Sequence, residues 1–105
     1  QPWASYLVLG LKKVEGRNWQ PTNTDSTTPF SGLLWIHAAS HEPTLDEIES
    51  IRYQYISQYE DCPDQMPAEP PKVFPRSCLL GCVYVSKTLT NKQYKDSTKP
   101  PFLEE

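Results

Sequence analysis

No apolar run in this chain approaches the roughly 20 residues that a membrane-spanning helix needs. Nor does the N-terminus carry the basic start and cleavage site of a secretory signal. Cysteine is scarce and odd in number, with only Cys62, Cys78 and Cys82, which argues against a disulfide framework. On one strand Cys78 and Cys82 would lie about 13 Å apart at roughly 3.3 Å per residue. That is beyond disulfide reach unless the strand bends sharply at Gly81. All three are read as free thiols of a reducing compartment, so the expected location is nucleus and cytoplasm. Metal ligands are few as well. His37 and His41 are four apart, a spacing that serves a metal on a helix. Here they fall at a strand end and in a loop with no third ligand nearby. No metal or other cofactor is expected, and His37 is read as a partly buried strand residue. The chain has no initiator Met and begins directly in a helical pattern. It is therefore read as one domain, residues 1–105, excised from a larger protein.

An excess of positive charge is also missing: the net charge is −3, which by itself says little for nucleic acid. The distribution says more. Residues 42–69 hold eight acids and one base, giving −7, whereas residues 72–99 hold six bases and one acid, giving +5. The opening stretch to Trp19 adds Lys12, Lys13 and Arg17 against Glu15, giving +2. If the two basic segments adjoin in the fold, they form a face that steers anionic partners whatever the net value. Solubility alone also accounts for such charges.

What is present is a clear succession of elements. Pro2 suits the start of a helix, Trp3, Ala4, Leu7, Val8 and Leu11 keep one face apolar, and Gly10 supplies the left-handed residue that closes it. Alternation from Lys13 to Trp19 predicts a strand with Lys13, Glu15, Arg17 and Trp19 on one face; Lys12 lies at the junction, its direction open. Residues 20–31 are a polar loop, and 32–38 a buried strand whose bulkiest members are Trp35 and Ile36. Thr44-Leu45-Asp46-Glu47 is a capping box opening a helix to about Tyr59, with Leu45, Ile48, Ile51, Tyr55 and Tyr59 along its core side. Residues 60–76 form a long acidic loop, since five prolines within residues 60–75 exclude helix and sheet interior; Phe74 is its anchor. Residues 78–85 read as a central strand with Gly81 as a bulge or close-approach point. Thr90 or Asn91 starts a short helix, and the final residues make no convincing strand.

The pattern Gln1-Pro2-Trp3-Ala4 followed by Gly10-x-Lys12-x-x-Glu15-x-Arg17 resembles the opening signature of the ASCH domain family. In order after it come Gly32-Leu33-Leu34-Trp35-Ile36, the middle helix, and Ser77-Cys78-Leu79-Leu80-Gly81-Cys82-Val83. The resemblance covers residues 1–94. It implies an α+β fold, a small PUA-like β-barrel with flanking helices. Domains of this kind continue into closing strands. Here the barrel is expected to be incomplete at the C-terminus: open, completed by another chain, or completed by Phe102 and Leu103.

Three functions follow. The first is a nucleic-acid-binding module, RNA or DNA. Lys12, Lys13 and Arg17 would contact phosphates beside Glu15, Trp19 would stack on a base or sugar, and Lys92 and Lys95 would extend the track. The resemblance implies the context of a transcription coactivator. The second is a protein-interaction module of a coactivator complex, docking through the loop 60–76 or the helix before it. The third is an amidohydrolase: some small bacterial members resemble enzymes that act on acylated cytidines through a Lys, a Thr and a distant Glu. Lys12 matches that Lys, but Glu15 stands in place of the Thr, and a neighbouring carboxylate favours the charged ammonium over a nucleophilic amine. The expectation is a binding domain, not an enzyme, with no membrane role.

Overall fold

A computed structural model describes residues 1–17, 19, 21, 22 and 28–96. Among them are helices α1 (Trp3–Val8), α2 (Leu45–Ser57) and α3 (Asn91–Lys95), and strands β1 (Gly32–Ala38) and β2 (Cys78–Val85). The expectation for Phe102 and Leu103 lies outside the described residues.

Helix α1 is short because Gly10, at φ +75°, reverses the chain. Gly10 N–H donates to Leu7 O at 3.0 Å and Leu11 N–H to Tyr6 O at 2.9 Å. These are the two bonds of a Schellman close, and Leu11 and Tyr6 supply its apolar contact. Both are buried in the core. At the other end the Gln1 side chain accepts from the Ser5 backbone N–H at 3.2 Å and the Ser5 hydroxyl at 3.0 Å, while its Nε2 donates to Pro75 O at 2.6 Å. One residue thus ties α1 to the end of the proline-rich loop.

Helix α2 begins as its sequence requires. Thr44 Oγ1 accepts from Glu47 N–H at 3.1 Å, and Glu47 accepts from Thr44 N–H at 3.0 Å. Ile51 and Tyr55 face inward, with Tyr59 just past the helix end, but Leu45 at the first turn is 80% exposed. The core is a tyrosine stack between the helices: Tyr6 to Tyr55 at 5.7 Å and Tyr55 to Tyr59 at 5.5 Å, both edge-on, a preferred aromatic geometry. Cys62, Met66 and Phe74 from the loop close over this stack. Tyr55 Oη donates to Ala68 O at 2.7 Å, so the anchor expected at Phe74 is one of several.

Strands β1 and β2 pair antiparallel, Gly32 opposite Val85 through Ala38 opposite Cys78. Ile36 faces Gly81 but His37 faces Leu79, so Leu80 is an extra residue, a bulge. The bulge breaks strict alternation. Leu80 lines a groove with Val8 and Leu9 of α1, and Cys78 turns to the same side, opposite buried Ala38. Cys82 and Leu79 stay on the outer side, opposite Trp35 and His37. The bend expected at Gly81 is therefore present, and it sends Cys78 and Cys82 to opposite faces; all three cysteines are free thiols. Gly81 also permits close approach, since a Cβ there would lie 3.2 Å from Val8 Cγ1.

Four expectations need correction. Residues 13–17 form no strand; their charges are satisfied locally, by ion pairs, instead of through a ladder. The strand 32–38 is not buried on both faces, because α1 covers one side only and leaves Trp35 66% exposed. His37 is exposed on that same outer face. Strand β2 is not central, having β1 as its one partner among the described residues. The fold is α+β, and no closed barrel forms among the described residues.

Candidate nucleic-acid interface

The Schellman close decides the geometry of the charged stretch. Lys12 N–H, like Leu11 N–H, donates to Tyr6 O, at 3.1 Å, which turns residue 12 back over α1. Its ammonium lies 4.4 Å from the centre of the Trp3 ring, and its side chain is fully buried. A buried ammonium is tolerable only when paired. Here Glu15 Oε1 accepts from Lys12 Nζ, and the ring face of Trp3 adds a cation–π contact. The other carboxylate oxygen, Oε2, meets Arg17 Nη1 at 2.9 Å. Lys12, Glu15 and Arg17 form a line from the interior to the surface, carrying +1 in total.

Half of the Arg17 side chain stays exposed, so its guanidinium keeps donors for an outside anion. Lys13 is exposed, and its Nζ folds back over Gly10, 3.7 Å from where a Cβ there would sit. Trp19 is 62% exposed. The structure therefore joins Lys12, Glu15 and Arg17 by direct contact and leaves Lys13 and Trp19 accessible near them in sequence. Lys92 and Lys95 lie in the last turn of α3, where cations complement the helix dipole. They take no part in the described ion pairs of Lys12, Glu15 and Arg17.

Trp3 belongs to this site and is absent from the residues expected in it. The signal for it was Gly10: a left-handed close returns the chain over the start of its own helix. An arrangement with one buried cation, a bridging carboxylate and an outer guanidinium can hold Arg17 in a fixed pose toward an oxyanion. It supplies no nucleophile paired with a base within the group.

Other features lie elsewhere. A shallow hollow of about 230 Å³ is lined by Tyr53, Ile56, Ser57, Tyr59, Glu60, Pro63 and Met66, none of them in the charged stretch. His41 Nε2 is 3.6 Å from Glu47 Oε1, and no group of three metal-ligating side chains forms among the described residues. No helix among them is long and apolar enough to cross a membrane.

Comparison with known proteins adds the relationship. A model of the ASCH domain family matches residues 1–103. Human activating signal cointegrator 1 is 39% identical over 97 residues, and its mouse counterpart 38% identical over the same length. In each case 91% of this chain is matched, and it spans 14% of the relative's length.

Proposed function

The chain belongs to the ASCH domain family, and from that premise we propose that it is a nucleic-acid-binding module of a coactivator. In this reading its two-stranded sheet is part of a PUA-like barrel. Arg17 and Lys13 meet phosphates, Trp19 stacks on a base or sugar, and Lys92 and Lys95 extend the contact. Lys12 and Glu15 act from beneath, setting the direction of Arg17. The observation that carries the proposal is the Glu15–Arg17 pair at 2.9 Å, which holds an exposed guanidinium in place on a buried base. A preorganised guanidinium loses less entropy on meeting a phosphate than a free one. The name of the two relatives supports the coactivator context. Binding is favoured over hydrolysis because Lys12 is enclosed by Glu15 and Trp3, out of reach of a substrate carbonyl.

The test is fluorescence anisotropy with labelled single- and double-stranded DNA and RNA at two salt concentrations. The parent should bind at least one of these, more weakly at high salt. Arg17→Ala should reduce the salt slope by about 1, as loss of one phosphate contact does. Trp19→Ala should cost roughly 1–3 kcal/mol if a base stacks there. A folded domain that binds none of the four oligonucleotides ends this reading.

A further inference from the structure

The outer face of the sheet carries Leu33, Trp35 and His37 from β1 opposite Tyr84, Cys82 and Leu79 from β2. Leu33 is 69% exposed, Trp35 66%, Leu79 64% and Tyr84 71%. We propose that this face is a self-association surface, on which a second copy of the chain packs face to face in a two-fold dimer.

Three features select a second copy as the occupant. The first is area. Taking ~200 Å² for a leucine and ~250 Å² for a large aromatic, the four side chains expose roughly 600 Å² of apolar surface. That lies at the upper end of the roughly 300–600 Å² of the largest patch on a typical monomer. It also approaches the ~800 Å² per partner of a standard interface before His37 and Cys82 are counted. The second is charge. The face holds no Lys, Arg, Asp or Glu, so an acidic peptide or a phosphate backbone finds no countercharge on it. An identical face, by contrast, brings no like-charge repulsion. The third is symmetry. A two-fold contact requires one patch to be complementary to itself, and an uncharged, aliphatic–aromatic sheet face meets that condition. Helix α1 packs on the opposite side, so two sheets stacked about 10 Å apart would lie between two copies of α1. A two-stranded sheet is marginal by itself, and stacking completes its burial. The bulge at Leu80 contributes by keeping Leu79 on this face beside Cys82.

Sedimentation equilibrium from low micromolar to near-millimolar protein tests the proposal. The expected result is a reversible monomer–dimer equilibrium. Trp35→Lys and, separately, Leu33→Lys should each weaken it at least about tenfold, as loss of a central apolar anchor does. Both side chains are exposed in the monomer, so the helical circular dichroism should be retained. Tyr53→Lys, on exposed α2, should leave association unchanged. Peptide-resolved alkylation gives a second reading: Cys82 should react more slowly as protein concentration rises, while Cys62 and Cys78 keep constant rates. A chain that remains monomeric throughout overturns the proposal, as does association that survives both lysine substitutions. Concentration-independent protection of Cys82, lost when residues 97–105 are removed, also overturns it, because the chain's own end would then be the occupant.

Discussion

Adjacent residues Lys12 and Lys13 show how little a residue's type says about its role. One is enclosed by Trp3 and Glu15 and the other stands in solvent. Removing the carboxylate separates structure from binding. Glu15→Ala leaves the Lys12 ammonium buried without its countercharge and should cost about 2–4 kcal/mol in urea unfolding, below the full penalty of a deeply buried pair because Glu15 reaches the surface. Arg17→Ala removes only the exposed end of the line and should cost less than about 1 kcal/mol, while weakening any nucleic-acid binding. If both substitutions destabilise equally, the interior placement of Lys12 is wrong. The Lys-x-x-Glu-x-Arg spacing is plain in the sequence, but which cation is buried is not. That depends on where Gly10 sends the chain and on Trp3 lying beneath it, a contact nine residues back that periodicity does not encode.

Elements were legible where the determinants are local. The capping boxes at Thr44 and Thr90, the close at Gly10 and both described strands follow from side chains reaching only three or four residues along. The stretch 13–17 was not, because alternating charges look the same in a strand and in a chain whose ions pair internally. The outer face of β1 was not either: an apolar run records a preference for burial, not the presence of something to bury it. Two elements yield direct tests. Gly81→Ala puts a methyl 3.2 Å from Val8 Cγ1 at φ +151° and should destabilise the domain by about 1–3 kcal/mol in thermal melts. Val8→Ala should relieve the contact but not the backbone strain. At α2, hydrogen bonds from the Thr44 backbone and hydroxyl, with a smaller contribution from His41, hold the Glu47 carboxyl below its ordinary value of 4.5. A lowered folded pKa means that this cap stabilises fully above the unfolded value and is lost as pH falls through the folded one. Acid titration followed by NMR should show α2 fraying from its N-terminus below about pH 4, and Glu47→Gln should remove that dependence.

At the scale of the whole molecule, the long proline-rich loop is part of the core instead of an appendage. Gln1, Tyr55, Met66 and Phe74 hold it at separate points. Tyr55→Phe removes the bond to Ala68 and should cost about 0.5–1.5 kcal/mol, with faster proteolysis between residues 60 and 76 as the readout. Burial raises the Tyr55 and Tyr6 hydroxyls above their ordinary value of 10.0. The neutral rings therefore stabilise the fold below that pH, and the contribution is lost as pH rises through the folded values. The unequal placement of Lys12 and Lys13 has a practical use as well. An amine-reactive label should mark Lys13 at once and spare Lys12 while α1 stays closed over its own exit. Since the two amines share one peptide and one reagent concentration, their labelling ratio is an internal clock for opening of the domain. It needs no reference protein and reads the same way in a cell extract as in a cuvette.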